Sequence, residues 1–60
     1  GLSDIYSIFI KSTYANLRIY AIRGIARNRY LEFKDEIVRL STEDPVKAVK
    51  QAALSALEDW

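Results

Sequence analysis

A small all-α domain is the fold class this sequence predicts, and three observations predict it. Apolar residues recur at three- and four-residue spacings along most of the chain. The single proline, Pro45, follows Asp44 in the manner of a helix start and interrupts no periodic run. Neither a glycine nor an Asn-Gly pair separates "IYSIFI" from "LRIYAI", the two isoleucine- and tyrosine-rich runs that would otherwise pair as a hairpin through "KSTYAN".

Ser3 with Asp4 marks the start of a first helix over about residues 4–22. The apolar positions Ile5, Ile8, Ala15, Ile19, Ile22, Ala26, Tyr30, Phe33, Ile37 and Leu40 lie on nearly one stripe, interrupted at Ser12. Two arrangements fit. In one, Gly24 closes the first helix with Ile25 as the apolar contact of a Schellman ending, and a second helix over about 25–41, starting near Asn28, leads to a three-helix bundle. In the other, the first two helices are continuous from about 4 to 41, on the order of 55 Å at 1.5 Å per residue, and the fold is a helical hairpin with one long helix. The last helix covers about 45–59. Asp44 accepts from orphan amides at its start, while Pro45 sits where a missing N–H costs nothing. Val46, Val49, Ala53, Leu57 and Trp60 draw one stripe down it, and Ala48, Ala52 and Ala56 form a row of small residues beside that stripe.

Sixty residues make one domain, spanning residues 1–60, and a chain of this size buries only about 60% of its unfolded surface. Such scaffolds are usually supplemented by disulfides, a metal or another subunit. With no Cys and no His, disulfides, structural zinc, haem ligation through these residues and iron–sulfur clusters are excluded, leaving an oligomer or a domain docked on a partner. No cofactor is expected. The lack of Met even at position 1 is expected of a processed, excised or trimmed chain, and no signal-peptide pattern is visible. Lys11, Arg18 and Arg23 interrupt the most apolar stretch, Ile5 to Ala26, so a soluble chain with no membrane span is expected, in a compartment the composition leaves open.

Catalysis has little to work with. Five serines have no histidine to activate them, there is no glycine-rich phosphate loop, and the Glu32 and Glu36 pair lacks the histidine that bundle metal sites add. The expected function is therefore a non-catalytic protein–protein interaction module, a structural or accessory subunit of a larger assembly. Fourteen apolar residues between Ile5 and Ala26 exceed what one buried stripe uses. Tyr6, Ile10, Leu17 and Tyr20 are the candidate partner surface on the first helix, with Ala52, Ala56 and Trp60 on the last.

The alternative is a helical nucleic-acid binder. Net charge is only +1, but residues 1–31 carry +4 and residues 32–60 carry −3. Arg18, Arg23, Arg27 and Arg29 crowd one segment, and Tyr14, Tyr20 and Tyr30 are of the type that stacks on unpaired bases. The same arginines serve equally well as ion-pair partners of the downstream acids, with Asp35 and Arg39 as a further pair one turn apart. Lys47 and Lys50 at the start of the last helix and Glu58 and Asp59 at its end oppose the macrodipole preference, which suits an antiparallel neighbour.

Residues Tyr14 to Lys34, with Arg23, Gly24, Ile25 and the closing "EFK", resemble the helical region of the mitochondrial ATP synthase epsilon subunit, an accessory chain of the central stalk. The resemblance covers about a third of the chain. The Trp-Arg start of that family is absent and "DPVKAV" has no counterpart, so no residue roles are carried over.

Overall fold

The structure, a computed structural model, describes residues 1–58 and 60. Every regular element among them is helical: α1 (Leu2–Phe9), α2 (Ala15–Asn28), a 3₁₀ turn (Leu31–Phe33), α3 (Lys34–Glu43) and α4 (Lys47–Glu58). Among the described residues there are thus four α-helices where three were expected, and neither the long continuous helix nor the strand pair occurs among them.

The first break falls at Ser12, the residue that interrupts the apolar stripe. The Ser12 hydroxyl accepts from the Tyr14 amide at 3.0 Å, a local bond that competes with helix continuation and turns the chain before α2. The second break comes five residues later than the glycine suggests. Arg29 adopts φ 54°, ψ 48°, its amide donates to Ala26 O at 3.3 Å, and the Tyr30 amide donates to Ile25 O at 3.2 Å. That is the Schellman pattern, with Arg29 in the left-handed position usually given to glycine. Asn28 ends α2 instead of beginning a helix, and its side-chain amide donates to Gly24 O at 2.8 Å.

Gly24 has another purpose. It lies inside α2, buried beneath the Tyr6 ring, where a Cβ would stand 2.2 Å from Tyr6 Cζ. The absence of a side chain lets α1 and α2 approach closely, so part of the apolar excess of the first half is consumed by one helix packing on the next. Tyr6, Ile10, Ala21, Ile22, Ile25, Ile37, Leu40, Val49, Ala53 and Ala56 form a single core. The radius of gyration, 9.9 Å, matches the roughly 10 Å of a compact chain of this length. The core thus closes within one chain.

Helix α4 packs against both α2 and α3 through Val49, Ala53 and Ala56. The predicted stripe is right: Val46, Leu57 and Trp60 flank that buried line. The predicted row of small residues is displaced, since Ala48 is exposed and Ala52 only half-buried.

Asp44 precedes α4 as foreseen, but its Oδ1 accepts from the Val46 amide at 2.9 Å, an Asx turn outside the helix. Arg39 pairs with Glu36, one turn back, and reaches Glu43 at 4.0 Å, leaving the expected Asp35 pairing unmade. None of the described helices is long and apolar enough to cross a membrane.

Candidate functional site

Helix α2 carries the arginine-rich segment, and its helical geometry divides the segment in two. Arg18 turns inward. Its Nε donates to Asp44 Oδ2 at 2.9 Å, Nη2 to Asp44 Oδ1 at 3.0 Å, and Nη1 to Ser12 O at 2.9 Å. The guanidinium thereby ties the α1–α2 connection to the α3–α4 connection. The Asp44 side chain is 2% exposed and that of Arg18 11%, so this is a buried, bidentate pair of the strong kind. Burial alone would raise the Asp44 pKa, but hydrogen bonds from Arg18 and the Val46 amide outweigh it and hold the carboxyl below its ordinary range. Arg18 is therefore withdrawn from the candidate phosphate-reading set.

Arg23, Arg27 and Arg29 remain on the surface. They converge, with Ala26 and Ala56, around an open cavity of about 320 Å³. Because Arg18 at the start of α2 reaches Asp44 just before α4, and Ala56 near the end of α4 meets the end of α2, these two helices run in the same direction with α3 returning between them. The cavity thus lies where the last turns of α2 and α4 stand side by side.

The tyrosines do not form a stacking row. Tyr6 is the buried hub of an aromatic cluster, with its ring 5.7 Å from Tyr20 and 6.2 Å from Tyr30, and Tyr20 meets Phe9 edge-on at 5.8 Å. Burial, followed by the neighbouring Tyr20 hydroxyl, pushes the Tyr6 phenol above its ordinary pKa. Tyr30 is half-buried in the same cluster, and Tyr14 is exposed on the α1–α2 connection.

Of the residues expected to face a partner, Tyr6 and Ile10 are corrected outright: both are core residues, covered by α2 and its neighbours. Ala56 is buried as well, Leu17 and Ala52 are half-buried, and Tyr20 is exposed. Trp60 rests half-buried on the core with its indole N–H shielded and lacking an acceptor among the described residues. Asp59 lies outside the described residues, whereas Lys47, Lys50 and Glu58 occupy the ends of α4 as the sequence places them.

One apolar surface was missed, the outer side of α1, where Leu2 is 48%, Ile5 43% and Ile8 68% exposed; Leu31, Val38 and Leu54 are exposed singly elsewhere. The signal was available in the spacing, since Ile5 and Ile8 fall opposite Tyr6 and Ile10 once α1 is taken as a separate short helix.

Among the described residues no acidic or histidine cluster suited to a metal ion occurs. Comparison of the chain with known families, with curated proteins and with solved structures finds no match.

Proposed function

We propose that this chain is a non-catalytic protein–protein interaction module whose partner is a second copy of itself, paired through the outer side of α1. The observation that carries the reading is the exposure of three large aliphatic residues, Leu2, Ile5 and Ile8, together on one short helix, where α2, α3 and α4 each expose one large apolar residue, Tyr20, Val38 and Leu54. Asp4, Ile8 and Lys11 follow one another at spacings of four and three on that side. An antiparallel pairing of two α1 helices places Ile5 and Ile8 at the centre. It also sets Asp4 of each copy, whose carboxylate holds the Gly1 ammonium at 3.2 Å within its own chain, near Lys11 of the other, and this second cation is the charge complementarity that favours this occupant. Within its own chain, Lys11 acts on Glu36 only at a distance. A role as a structural or accessory subunit follows from such an assembly.

One helix face from each copy makes a small interface, so the association is weak. Light scattering at concentrations up to about 1 mM, where even about 4 kcal/mol of binding registers, is expected to give a weight-average mass that rises with concentration well above the 6.9 kDa of the chain. Ile8→Glu should return it to the single-chain value without changing the helical circular dichroism. A single-chain mass throughout that range contradicts the proposal.

The nucleic-acid reading keeps three of its four arginines, and the cavity they line is the observation in its favour.

A further inference from the structure

Between the last turns of α2 and the end of α4, Arg23, Arg27 and Arg29 surround a cavity of about 320 Å³ with Ala26 and Ala56 in its wall. That volume lies at the lower end of the roughly 300–1,000 Å³ typical of ligand sites. The two alanines leave room that larger side chains would fill. The three guanidinium groups stay charged at any physiological pH. Among the described residues, no carboxylate pairs with Arg23 or Arg27. Arg29 reaches this cavity from a left-handed backbone conformation that glycine or asparagine would adopt more readily.

We infer that this cavity binds a phosphate-type oxyanion. Planar guanidiniums donate paired N–H bonds to phosphoryl oxygens, and an anion seated beside Arg23 and Arg27 relieves the repulsion between them. The C-terminal end of the α2 dipole opposes an anion here, so the attraction has to come from side chains, which is consistent with three arginines in place of backbone amides. The phosphoryl group is that of a free small phosphate compound or of a single-stranded polynucleotide. The inference is independent of the α1 pairing, which uses a different helix.

Pyrophosphate titrated into the isotope-labelled protein, followed by the arginine Nε–H signals, tests it. Saturable shifts are expected at Arg23, Arg27 and Arg29 and not at Arg39. Losing one charge-assisted contact in Arg27→Gln or Arg23→Gln should weaken binding about tenfold, whereas Lys47→Gln, at the far end of α4, should not. All three positions are exposed, and unchanged circular dichroism would confirm that the fold is kept. A single-stranded oligonucleotide that half-saturates the same signals at about a tenth of the pyrophosphate concentration identifies the polymer as the source; equal or weaker binding identifies the free compound. Shifts that fail to saturate, that sodium chloride reproduces at equal ionic strength, or that survive both arginine substitutions overturn the inference.

Discussion

Arg18 and Arg27 stand nine residues apart on the same helix, yet they belong to different parts of the physics. Arg18 faces inward, is nearly covered, and spends three hydrogen bonds on Asp44 and the Ser12 carbonyl. Arg27 faces water at the rim of a cavity shared with two other arginines. The sequence shows one basic run, whereas the fold makes one arginine a fastener between two loops and leaves three as a charged surface. What separates them is an acid 26 residues away, Asp44, which no local pattern connects to Arg18.

The strongest way to break this division is to remove the acid. Asp44→Ala leaves an uncompensated buried guanidinium, a loss of about 3–5 kcal/mol. That matches the whole stability of about 3–5 kcal/mol expected of so small a domain, so the variant should be largely unfolded by circular dichroism at 25 °C. Arg18→Met with Asp44→Leu should refold, since replacing both members by apolar side chains removes the stranded charge.

A second test concerns the close approach of α1 to α2. Alanine in place of an interior helical glycine normally stabilises by about 1 kcal/mol. Gly24→Ala is expected to do the reverse, because its Cβ would meet the Tyr6 ring at 2.2 Å and overpacking of this kind costs about 1–3 kcal/mol. Combining it with Tyr6→Leu should recover part of the loss; a melting temperature raised by Gly24→Ala alone would show that the ring is easily displaced.

The pH dependence sharpens the contrast further. Asp44 and Glu36 are held below their ordinary values of 3.8 and 4.5 in the fold. Their stabilisation is present above those unfolded values and is lost as pH falls through the folded ones. Tyr6 is raised above 10.0, so its contribution is present below pH 10.0 and lost as pH rises through its folded value. With no histidine, urea midpoints should be flat from about pH 5 to about pH 9, declining at acid pH as the carboxylates protonate and above about pH 10 as Tyr6 ionises. A transition near pH 6.5 would contradict this.

A smaller effect, of opposite sign, is expected at Arg29. Glycine suits its left-handed backbone, and Arg29→Gly should raise the melting temperature by a few degrees, corresponding to about 0.5–1 kcal/mol. A lowered melting temperature would show that its side chain contributes more to stability than its backbone conformation costs.

Much of the fold was legible. The all-helical class and the α4 stripe through Val49 and Ala53 followed from spacing, whereas α4 starts at Lys47, two residues later than expected, and Asp44 makes an Asx turn ahead of it instead of capping it. The Schellman ending was the right motif in the wrong place: Gly24 drew it upstream, whereas the chain adopts it at Arg29, and the glycine serves helix contact instead. The end of α1 was harder to read because Ile5, Ile8, Ala15 and Ile19 keep a helical rhythm across the break at Ser12, where a serine hydroxyl decides the turn. The candidate surface went wrong for the same reason. With α1 drawn as the start of a longer helix, Tyr6 and Ile10 pointed outward; as a separate helix folded onto α2, it buries them and exposes Leu2, Ile5 and Ile8.

The division of the arginines is tested most directly by one matched measurement, urea unfolding of Arg18→Gln and Arg27→Gln beside the parent chain. Both substitutions remove one charge from α2 and leave helix propensity almost unchanged. Arg18→Gln is expected to lose about 3 kcal/mol or more by stranding Asp44, and Arg27→Gln to stay within about 0.5 kcal/mol. Equal losses, or a larger loss at Arg27, would contradict the account.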